Sequence, residues 1–420
     1  MAEIKEFGAL RFTKKAGNIA DLCCPPYDII SEQEKLQYLN KNANNIIKLE
    51  APEQTEAGYL GAKAELESRI QNGIMQKDNK ECFYIYEQSF VVEGKQYSFK
   101  GFTAYVKLHE FSDGVILPHE HTLSKAKTDR LNLLTATGCS FSQIYSLYSD
   151  PEGVVPNLLA ELSARESDVC FTDGDNVTHR MWAVEKSEKT AEVAKQFADK
   201  KLYIADGHHR YETALNFKKQ LEQNGQMTDN ANYIMMFLVD MQSSGLVVFP
   251  THRIIKGLDK FNSQEMLQKI KEYFVVAELD GNGTQFLKTA YQNEQKAFWY
   301  YDGNKNYALT LKDNSIMDDL FKNEGKALRN LDVSVLHSLI LEGVLGIDKQ
   351  NLANQINLKY TSSISEAKAE VDGGANCCFI MNPTKVSEIA EVAAAGDVMP
   401  QKSTYFYPKL TTGLVINQIK

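Results

Sequence analysis

Apolar residues along this chain occur in short runs, some with the period of a strand and others with the period of a helix. Two runs, CFYIYEQSFVV and QYSFKGFTAYVKL, alternate aromatic and polar residues and flank Glu93-Gly94. This pattern predicts a β-hairpin with one buried face. NYIMMFLVDM and GLVVFPTHRII are more uniformly apolar and are separated by Gln-Ser-Ser-Gly, so we predict two buried strands.

Helical segments alternate with these strands. Ser31 precedes EQEKLQYLNKN and is expected to cap that helix. Residues 57–72 and 125–136 are also predicted to be helical. A strand over 202–205 is followed by a turn and a helix over 211–224. The mixture of elements predicts an α+β fold.

A chain of 420 residues is too long for one ordinary core, so two or three domains are expected. After Lys256 the polar residues become ordinary surface charges on alternating helix and strand segments. We therefore predict a boundary near residue 257, with a core that carries N-terminal insertions over 1–256 and an α/β accessory subdomain over 257–395. The aromatic, basic segment 396–420 is expected to pack back on the core site.

Composition excludes several classes of protein. The net charge is −9, and Lys/Arg blocks do not exceed two residues, which disfavours nucleic-acid binding. Apolar runs stay shorter than 18 residues, so we expect no membrane span. The N-terminus, MAEIKEFGALRF, lacks an apolar h-region, so we expect no signal peptide. The odd number of cysteines, seven, fits reduced, mostly buried thiols in a cytoplasmic protein. A homodimer is compatible with the sequence.

The stretch YIADGHHRYETAL carries the densest chemistry. Gly207 would let backbone amides approach an anion, and a helix starting at Tyr211 would direct its dipole at the same point. His208, His209 and Arg210 add donors and charge, and Asp206 could hold a divalent cation or orient a hydroxyl. Phosphate suits this set of groups. The alternative is an ordinary helix start with one histidine packed inside.

Three other segments could contribute to a site. In PHEHT, His119, Glu120 and His121 follow an apolar strand end, where a carboxylate could act as a base or a metal ligand. Alternatively, PHEHT is a solvated loop. KAKTDR could pair with phosphate or form a helix face with an internal Asp129–Arg130 pair.

FPTHRII places His252 and Arg253 after a strand, where a salt-bridged arginine is equally expected. The tail MPQKSTYFYPKLTTG offers Lys402, Ser403 and Lys409 to an anion, although an aromatic C-terminal strand more often simply packs. The PPYD turn reads first as a rigid turn and second as a site wall. The P-loop, GxGxxG, kinase HRD/DFG and GxSxG motifs are all missing from the sequence.

ADGHHRYETAL is similar to the signature turn of the ParB/sulfiredoxin-like superfamily, which contacts nucleotide phosphates at a helix start. The chain as a whole resembles members of the domain of unknown function 1015 family. The matching stretches are PPYDII, LPHEHT, KTDRL, IADGHHRYETA, GLVVFPTHR and PQKSTYFYPK. The resemblance implies a ParB/sulfiredoxin-like phosphate-binding core with an additional α/β subdomain. His208 stands where sulfiredoxin has its cysteine, so peroxiredoxin repair is not expected.

Free serine kinases of archaea share this superfamily's fold and place a Pro-x-Glu segment before a similar turn. Pro118-His119-Glu120 would match it, with Glu120 as the base. The resemblance thus implies a phosphotransferase that converts free L-serine to O-phosphoserine, with pyrophosphate, ATP or ADP as donor and Mg²⁺ as cofactor, and a link to serine biosynthesis.

We assign the site residues on this basis. Catalysis is assigned to Glu120, Asp206 and His208, with Asp206 also the metal ligand. The donor's phosphates are assigned to Gly207, His209, Arg210, Lys402, Ser403 and Lys409. The substrate is assigned to His119, His252 and Arg253.

Two other functions follow from the same turn. A nucleotide- or pyrophosphate-binding regulator would use it without turnover. A nuclease or DNA-partitioning protein follows from the ParB resemblance, but the charge of −9 counts against it.

Overall fold

The structure is a computed structural model that describes residues 1–120, 122 and 124–419; at Ser124, Lys125 and Ala353 it describes the backbone only. The chain divides into two compact units. The first unit comprises residues 1–118, 122–246 and 408–420, and the second comprises 119–121 and 247–407.

The first unit is built on a mixed sheet of nine strands within the described residues. The strands of this unit are β1 Ile4–Lys5, β2 Leu10–Phe12, β3 Met75–Lys77, β4 Cys82–Val92, β5 Lys95–Lys107, β6 Ile116–Leu117, β7 Cys139–Ser140, β8 Ile144–Tyr148, β9 Val169–Thr172, β10 Thr178–Glu185, β11 Leu202–Asp206, β12 Tyr233–Asp240 and, near the C-terminus, β21 Asn417–Gln418. The order in the large sheet is β6-β11-β8-β12-β5-β4-β10-β9, with β1 beside β5. β2–β3 and β7–β21 form separate pairs.

The first unit also contains α-helices. They are α1 Ile19–Leu22, α2 Glu32–Lys41, α3 Ile47–Glu50, α4 Glu56–Gln71, α5 Ser124–Thr137, α6 Val154–Leu162, α7 Glu188–Lys195 and α8 His208–Gln223. The predicted cap at Ser31 is confirmed, since Ser31 and Glu34 form a reciprocal capping box. Each end of helices α4 and α5 lies one residue from its predicted position.

The hairpin β4–β5 is confirmed, with its turn at Glu93-Gly94. The expectation of one buried face is wrong for its inner half, where Cys82–Tyr86 is buried at every position. Phe83 and Ile85 join a core with residues of α6 and α7, whereas the Tyr84 hydroxyl, on the opposite face, donates to Asp78 over 2.8 Å. Where both faces of a sheet are buried, a strand no longer alternates between apolar and polar residues.

The second unit contains a six-stranded antiparallel sheet of order β15-β17-β16-β19-β14-β18 and the separate pair β13–β20. Its strands are β13 Val247–Phe249, β14 His252–Ile255, β15 Phe274–Leu279, β16 Ala297–Tyr301, β17 Asn306–Leu311, β18 Leu358–Thr361, β19 Cys377–Met381 and β20 Tyr405–Tyr407. Its helices are α9 Ser263–Ile270, α10 Thr284–Gln292, α11 Ser315–Leu320, α12 Lys326–Arg329, α13 Asp332–Val335, α14 Lys349–Asn354, α15 Ile364–Asp372 and α16 Val386–Ala394; a π-helix spans Leu336–Glu342.

The fold is mixed α+β, as predicted, but the predicted boundary at residue 257 lies inside the second unit. β14 pairs with β18 and β19, more than 100 residues further along the chain, so it belongs to the later sheet. GLVVFPTHRII is therefore not one strand: Pro250 separates β13 from β14, because proline cannot donate to a sheet ladder. Segment 396–420, which was expected to pack on the core as a whole, is divided between the units. Residues 396–407 belong to the second unit and residues 408–420 to the first.

Two further sequence expectations concern the burial of the cysteines and the membrane-spanning potential of the helices. All seven cysteines are free thiols and six of them are buried, which confirms the expectation of mostly buried thiols, with Cys170 exposed. Over the described part of the chain, no helix combines the length and the apolar character that crossing a membrane demands.

Close packing of β5 against β12 generates a prediction about Gly101. A Cβ there would lie 2.4 Å from the Leu238 carbonyl oxygen and 2.5 Å from Cζ of Phe237. Because both neighbours are fully buried, Gly101→Ala should destabilise the protein by about 2–3 kcal/mol, measured by urea denaturation.

Gly61, inside α4, is the matched control for Gly101. A Cβ at Gly61 has open space within 4 Å, so Gly61→Ala should stabilise by about 0.5–1 kcal/mol through helix propensity. Equal effects of the two substitutions would show that the β5–β12 contact is looser than described.

Candidate functional site

The candidate site of the first unit lies where β11 ends and α8 begins. Asp206 is the last residue of β11, and Gly207 caps the helix with φ 98° and ψ 26°. The helix begins at His208, three residues earlier than predicted. Gly207 in the left-handed region completes the turn in one residue, so His208, His209 and Arg210 form the first helical turn.

Glycine is required at position 207 for two reasons. Its positive φ disfavours any other residue, and a Cβ would lie 3.0 Å from the guanidinium of Arg210. Since glycine has no side chain to cap the helix, the N-terminal turn presents its backbone donors and its dipole at this point.

Asp206 holds two cationic side chains together. Lys409 Nζ donates to Oδ1 over 3.1 Å, and Arg210 donates to Oδ2 over 2.9 Å. Arg210 also donates to the Gln143 carbonyl oxygen. Burial acts to raise the pKa of Asp206, but Lys409, Arg210 and His208 outweigh it and hold that pKa below its ordinary value. The carboxyl is therefore ionised at neutral pH.

This cluster carries a net positive charge. Two cations meet one carboxylate at the N-terminus of a 16-residue helix, whose dipole adds further positive potential. His208 is buried and His209 is half-buried in the first turn. An anion is the ligand that such a group of donors attracts.

A metal ion does not fit the role predicted for Asp206. Both of its oxygens accept hydrogen bonds from cationic side chains, which would repel a divalent cation. Within the described ranges, no three His, Cys, Asp or Glu side chains come together in an arrangement that could hold a metal. In this geometry the carboxylate orients Arg210 and Lys409.

A second buried polar cluster joins segments singled out in the sequence. Arg130 donates to Asp129 over 2.6 Å and to the Glu50 carbonyl oxygen over 2.7 Å. Its guanidinium lies 3.8 Å from the centre of the Tyr27 ring. The internal Asp129–Arg130 pair is thus confirmed, and Tyr27 of the PPYD turn packs on it. Lys125 and His121 fall outside what the structure describes for side chains.

Glu50 was not identified from the sequence, although an acid in the apolar run IIKLEAP is a usable signal. Burial raises its pKa, while Arg130 and a 2.8 Å hydrogen bond from Ser142 partly offset that effect. A cavity of about 30 Å³ is lined by Glu50, Arg130 and Arg210 among others. It has room for about one water molecule and lies between this cluster and Arg210.

The predicted residues of the second unit gather around a turn over 400–403. The buried His119 lies 3.1 Å from the Thr404 hydroxyl through Nε2, and its carbonyl oxygen accepts from Met399 N–H over 2.8 Å. Lys402 N–H donates to Glu120 Oε1 over 2.9 Å. Glu120 is half-buried, and this hydrogen bond from the backbone orients its carboxylate.

The side chains of Lys402 and Ser403 differ in exposure. Lys402 is exposed and adopts a positive φ of 56°. Ser403 is buried and donates its hydroxyl to the Pro400 carbonyl oxygen over 2.5 Å. Ser403 therefore closes the turn, whereas Lys402 remains accessible to a ligand.

His252 and Arg253 do not have the geometry expected of substrate-binding residues. Arg253 is fully buried and donates to the carbonyl oxygens of Thr251 and Lys402. His252 is 1% exposed and accepts from Met381 N–H over 3.4 Å. Burial and the charge of Arg253 lower the pKa of His252 to about 4, so the imidazole is neutral. Both side chains form hydrogen bonds in the interior of the second unit.

A cleft of about 650 Å³ elsewhere in the first unit contains none of the predicted residues. Its charged lining residues are Arg11, Lys14, Lys77, Asp78 and Asp168. Asp78 pairs with Arg11 over 2.9 Å, and Asp168 pairs with Arg165 over 2.7 Å. The α-helix that begins at this cleft, α1, has four residues, whereas Asp206 and its two cationic partners lie at the N-terminus of the 16-residue α8, so we place the candidate site at Asp206.

Comparison with known families identifies the chain as a member of one of them. The model of the family described as "Protein of unknown function (DUF1015)" matches residues 4–334. The chain belongs to this family, as the resemblance had indicated. The search of curated proteins returns no match.

Several solved structures are similar to part of the chain. A variant of a free serine kinase in complex with ADP is 17% identical, covering 72% of this chain and 87% of that one at a TM-score of 0.37. A conserved hypothetical protein from Pyrococcus furiosus is 17% identical, covering 73% and 92% at 0.36. C-terminally truncated SbnI from Staphylococcus aureus is 10% identical, covering 75% and 87% at 0.37. Similarity at this level does not extend to function.

The ion cluster makes Asp206→Asn informative. The amide would leave Lys409 and Arg210 without a counter-charge, so the free energy of unfolding at pH 7 should fall by roughly 3 kcal/mol. The folded-state pKa of Asp206 lies below the unfolded value of about 3.9, so this stabilisation is present above that pH and is lost on further acidification. Urea denaturation should therefore show the two proteins converging below about pH 4.

Asp229 provides the control for this substitution, because it pairs with Lys5 over 2.9 Å and its side chain is 81% exposed. Asp229→Asn should change stability by at most about 0.5 kcal/mol. A constant difference between Asp206→Asn and the native protein down to pH 3 would contradict the ion-pair assignment.

Proposed function

We propose that this protein is a phosphotransferase that phosphorylates a small hydroxyl-bearing metabolite, with free L-serine as acceptor and O-phosphoserine as product. The observation that carries the proposal is the cluster of Arg210 and Lys409 on Asp206 at the N-terminus of α8. The donor is a pyrophosphate or a nucleotide, whose phosphates supply the negative charge that this cluster attracts.

The first unit is assigned to the donor. Phosphoryl transfer needs positioning and charge neutralisation more than covalent chemistry. Arg210 and Lys409 are held 2.9 and 3.1 Å from Asp206, so their orientation is set before a ligand arrives. The first-turn amides of α8 and His209 add donors. Asp206 acts as the residue that positions both cations.

The second unit is assigned to proton transfer. Glu120 would accept the acceptor's hydroxyl proton as that oxygen bonds to phosphorus and the bond from phosphorus to the donor's bridging oxygen breaks. Lys402 N–H donates to one oxygen of Glu120, which leaves the other oxygen available as base. Lys402, exposed on the same turn, remains a candidate for contact with phosphate.

The identity of the acceptor rests on the sequence resemblance to free serine kinases, through Pro118-His119-Glu120 and the Asp206–Arg210 turn. A metal ion would enter with the donor's phosphates rather than through Asp206. Magnesium on those phosphates would neutralise charge during transfer.

The proposal is tested by incubating the protein with L-serine, Mg²⁺ and, separately, pyrophosphate, ATP or ADP while ³¹P NMR follows O-phosphoserine. A phosphoserine resonance with one donor would establish both the reaction and the donor. Binding of a donor without turnover would replace the enzyme by a pyrophosphate- or nucleotide-binding regulator. Absence of both binding and turnover would remove the phosphate assignment altogether.

Glu120→Gln should lower kcat by about 100-fold or more, because the amide keeps the acceptor for Lys402 N–H but cannot take a proton. Steady-state kinetics with saturating donor measure the effect, and circular dichroism checks the fold. Glu161→Gln is the control, since Glu161 pairs with Lys189 at an exposed position. Full activity of Glu120→Gln would eliminate Glu120 as the base.

Lys409→Met should weaken donor binding by about 10- to 100-fold, the value of one charge-assisted hydrogen bond. Isothermal titration with pyrophosphate and with ADP measures the affinity. Lys80→Met is the matched control, because Lys80 forms an exposed pair with Glu185. Unchanged affinity in Lys409→Met would place the donor elsewhere.

A further inference from the structure

Arg253 is a buried cation whose contacts are neutral. Its Nε donates to His337 Nε2 over 3.3 Å, and its terminal nitrogens donate to the carbonyl oxygens of Thr251 and Lys402, the latter over 3.1 Å. The Tyr360 ring centre lies 5.3 Å from the guanidinium carbon. Burial lowers the pKa of Arg253 to about 10, which still leaves the side chain charged at neutral pH.

His337 fixes one edge of this guanidinium. It lies in the π-helix over Leu336–Glu342, a rare conformation that often marks a functional position. Burial and the charge of Arg253 lower the pKa of His337 well below its usual value. A neutral imidazole can accept through Nε2, so His337 orients Arg253 without adding a second charge.

The other edge of Arg253 holds the turn that carries Glu120. Lys402 offers its carbonyl oxygen to Arg253 and its N–H to Glu120 Oε1, at 3.1 and 2.9 Å. Lys402 also has a positive φ of 56°, which costs a non-glycine residue about 1 kcal/mol or more. One residue therefore joins the buried arginine to the carboxylate, in a conformation that needs support from its surroundings.

We propose that Arg253 is a positioning residue that, oriented by His337, locks the 400–403 turn and through Lys402 N–H sets the direction of the Glu120 carboxylate. The inference rests on the proposed function only for its kinetic consequence. A lysine at this position would keep the charge but could not reach His337, Thr251 and Lys402 together, because it lacks the planar fork of arginine.

The test uses the full-length variants Arg253→Lys and His337→Leu. Hydrogen exchange read by mass spectrometry should show the segment 399–404 exchanging at least about 10-fold faster in Arg253→Lys. A smaller increase is expected in His337→Leu, which keeps the arginine but removes its acceptor. Native-like exchange of this segment in both variants would overturn the proposal.

Kinetics give an independent readout. Arg253→Lys should lower kcat about 10-fold while the donor KM stays unchanged, because Glu120 is misdirected and the first unit is untouched. A raised donor KM with unchanged kcat would instead make Arg253 a donor-binding residue and overturn the proposal. If the native protein shows no transfer to serine, the proposed function fails, and hydrogen exchange still decides the role of Arg253.

Arg69 is the matched control. It is 2% exposed, pairs with Glu65 over 2.8 Å and donates to the Asn44 carbonyl oxygen over 2.7 Å. Arg69→Lys should cost stability to a similar degree but leave both kcat and exchange over 399–404 at native values. Equal kinetic losses in Arg69→Lys and Arg253→Lys would reduce the role of Arg253 to general stability.

Discussion

The ion cluster on Asp206 is the constraint on which the candidate site depends. Two cationic side chains placed side by side repel each other, and burial adds a desolvation cost. Asp206 offsets both effects by accepting from Lys409 and Arg210 through separate oxygens. A protein with a net charge of −9 can thereby concentrate positive charge at one helix end. Gly207, in the left-handed region, makes the turn after which Arg210 pairs with the preceding Asp206.

The two arginines that the sequence marked as candidates are used in different ways. Arg210 pairs with a carboxylate at the start of a helix. Its charge therefore adds to the positive electrostatic potential that attracts an anionic ligand to this point. Arg253 is fully buried, and its guanidinium donates hydrogen bonds to carbonyl groups and to a neutral imidazole. Sequence spacing could not separate these roles, because both residues follow a histidine at the edge of an apolar strand.

Local signals were predictable where the chemistry is local. The reciprocal Ser31–Glu34 cap, the hairpin turn at Glu93-Gly94 and the fully buried β12 follow from residues a few positions apart. The start of α8 was placed three residues late because a single left-handed glycine shortens the turn. The division between β13 and β14 lies at Pro250, a local signal that the sequence analysis missed, whereas the sheet that each strand joins was decided by partners more than 100 residues away.

The sequence alone determined which chemical groups this protein carries and the family to which it belongs: an Asp-Gly-His-His-Arg turn, a Pro-His-Glu segment and a basic C-terminal stretch. Tertiary structure decided their partners. Lys409 reaches Asp206 across 203 positions and Arg253 reaches His337 across 84. Hydrophobic period and turn chemistry act over a few residues, whereas ion pairing and the burial of a charge depend on which segments the fold brings together.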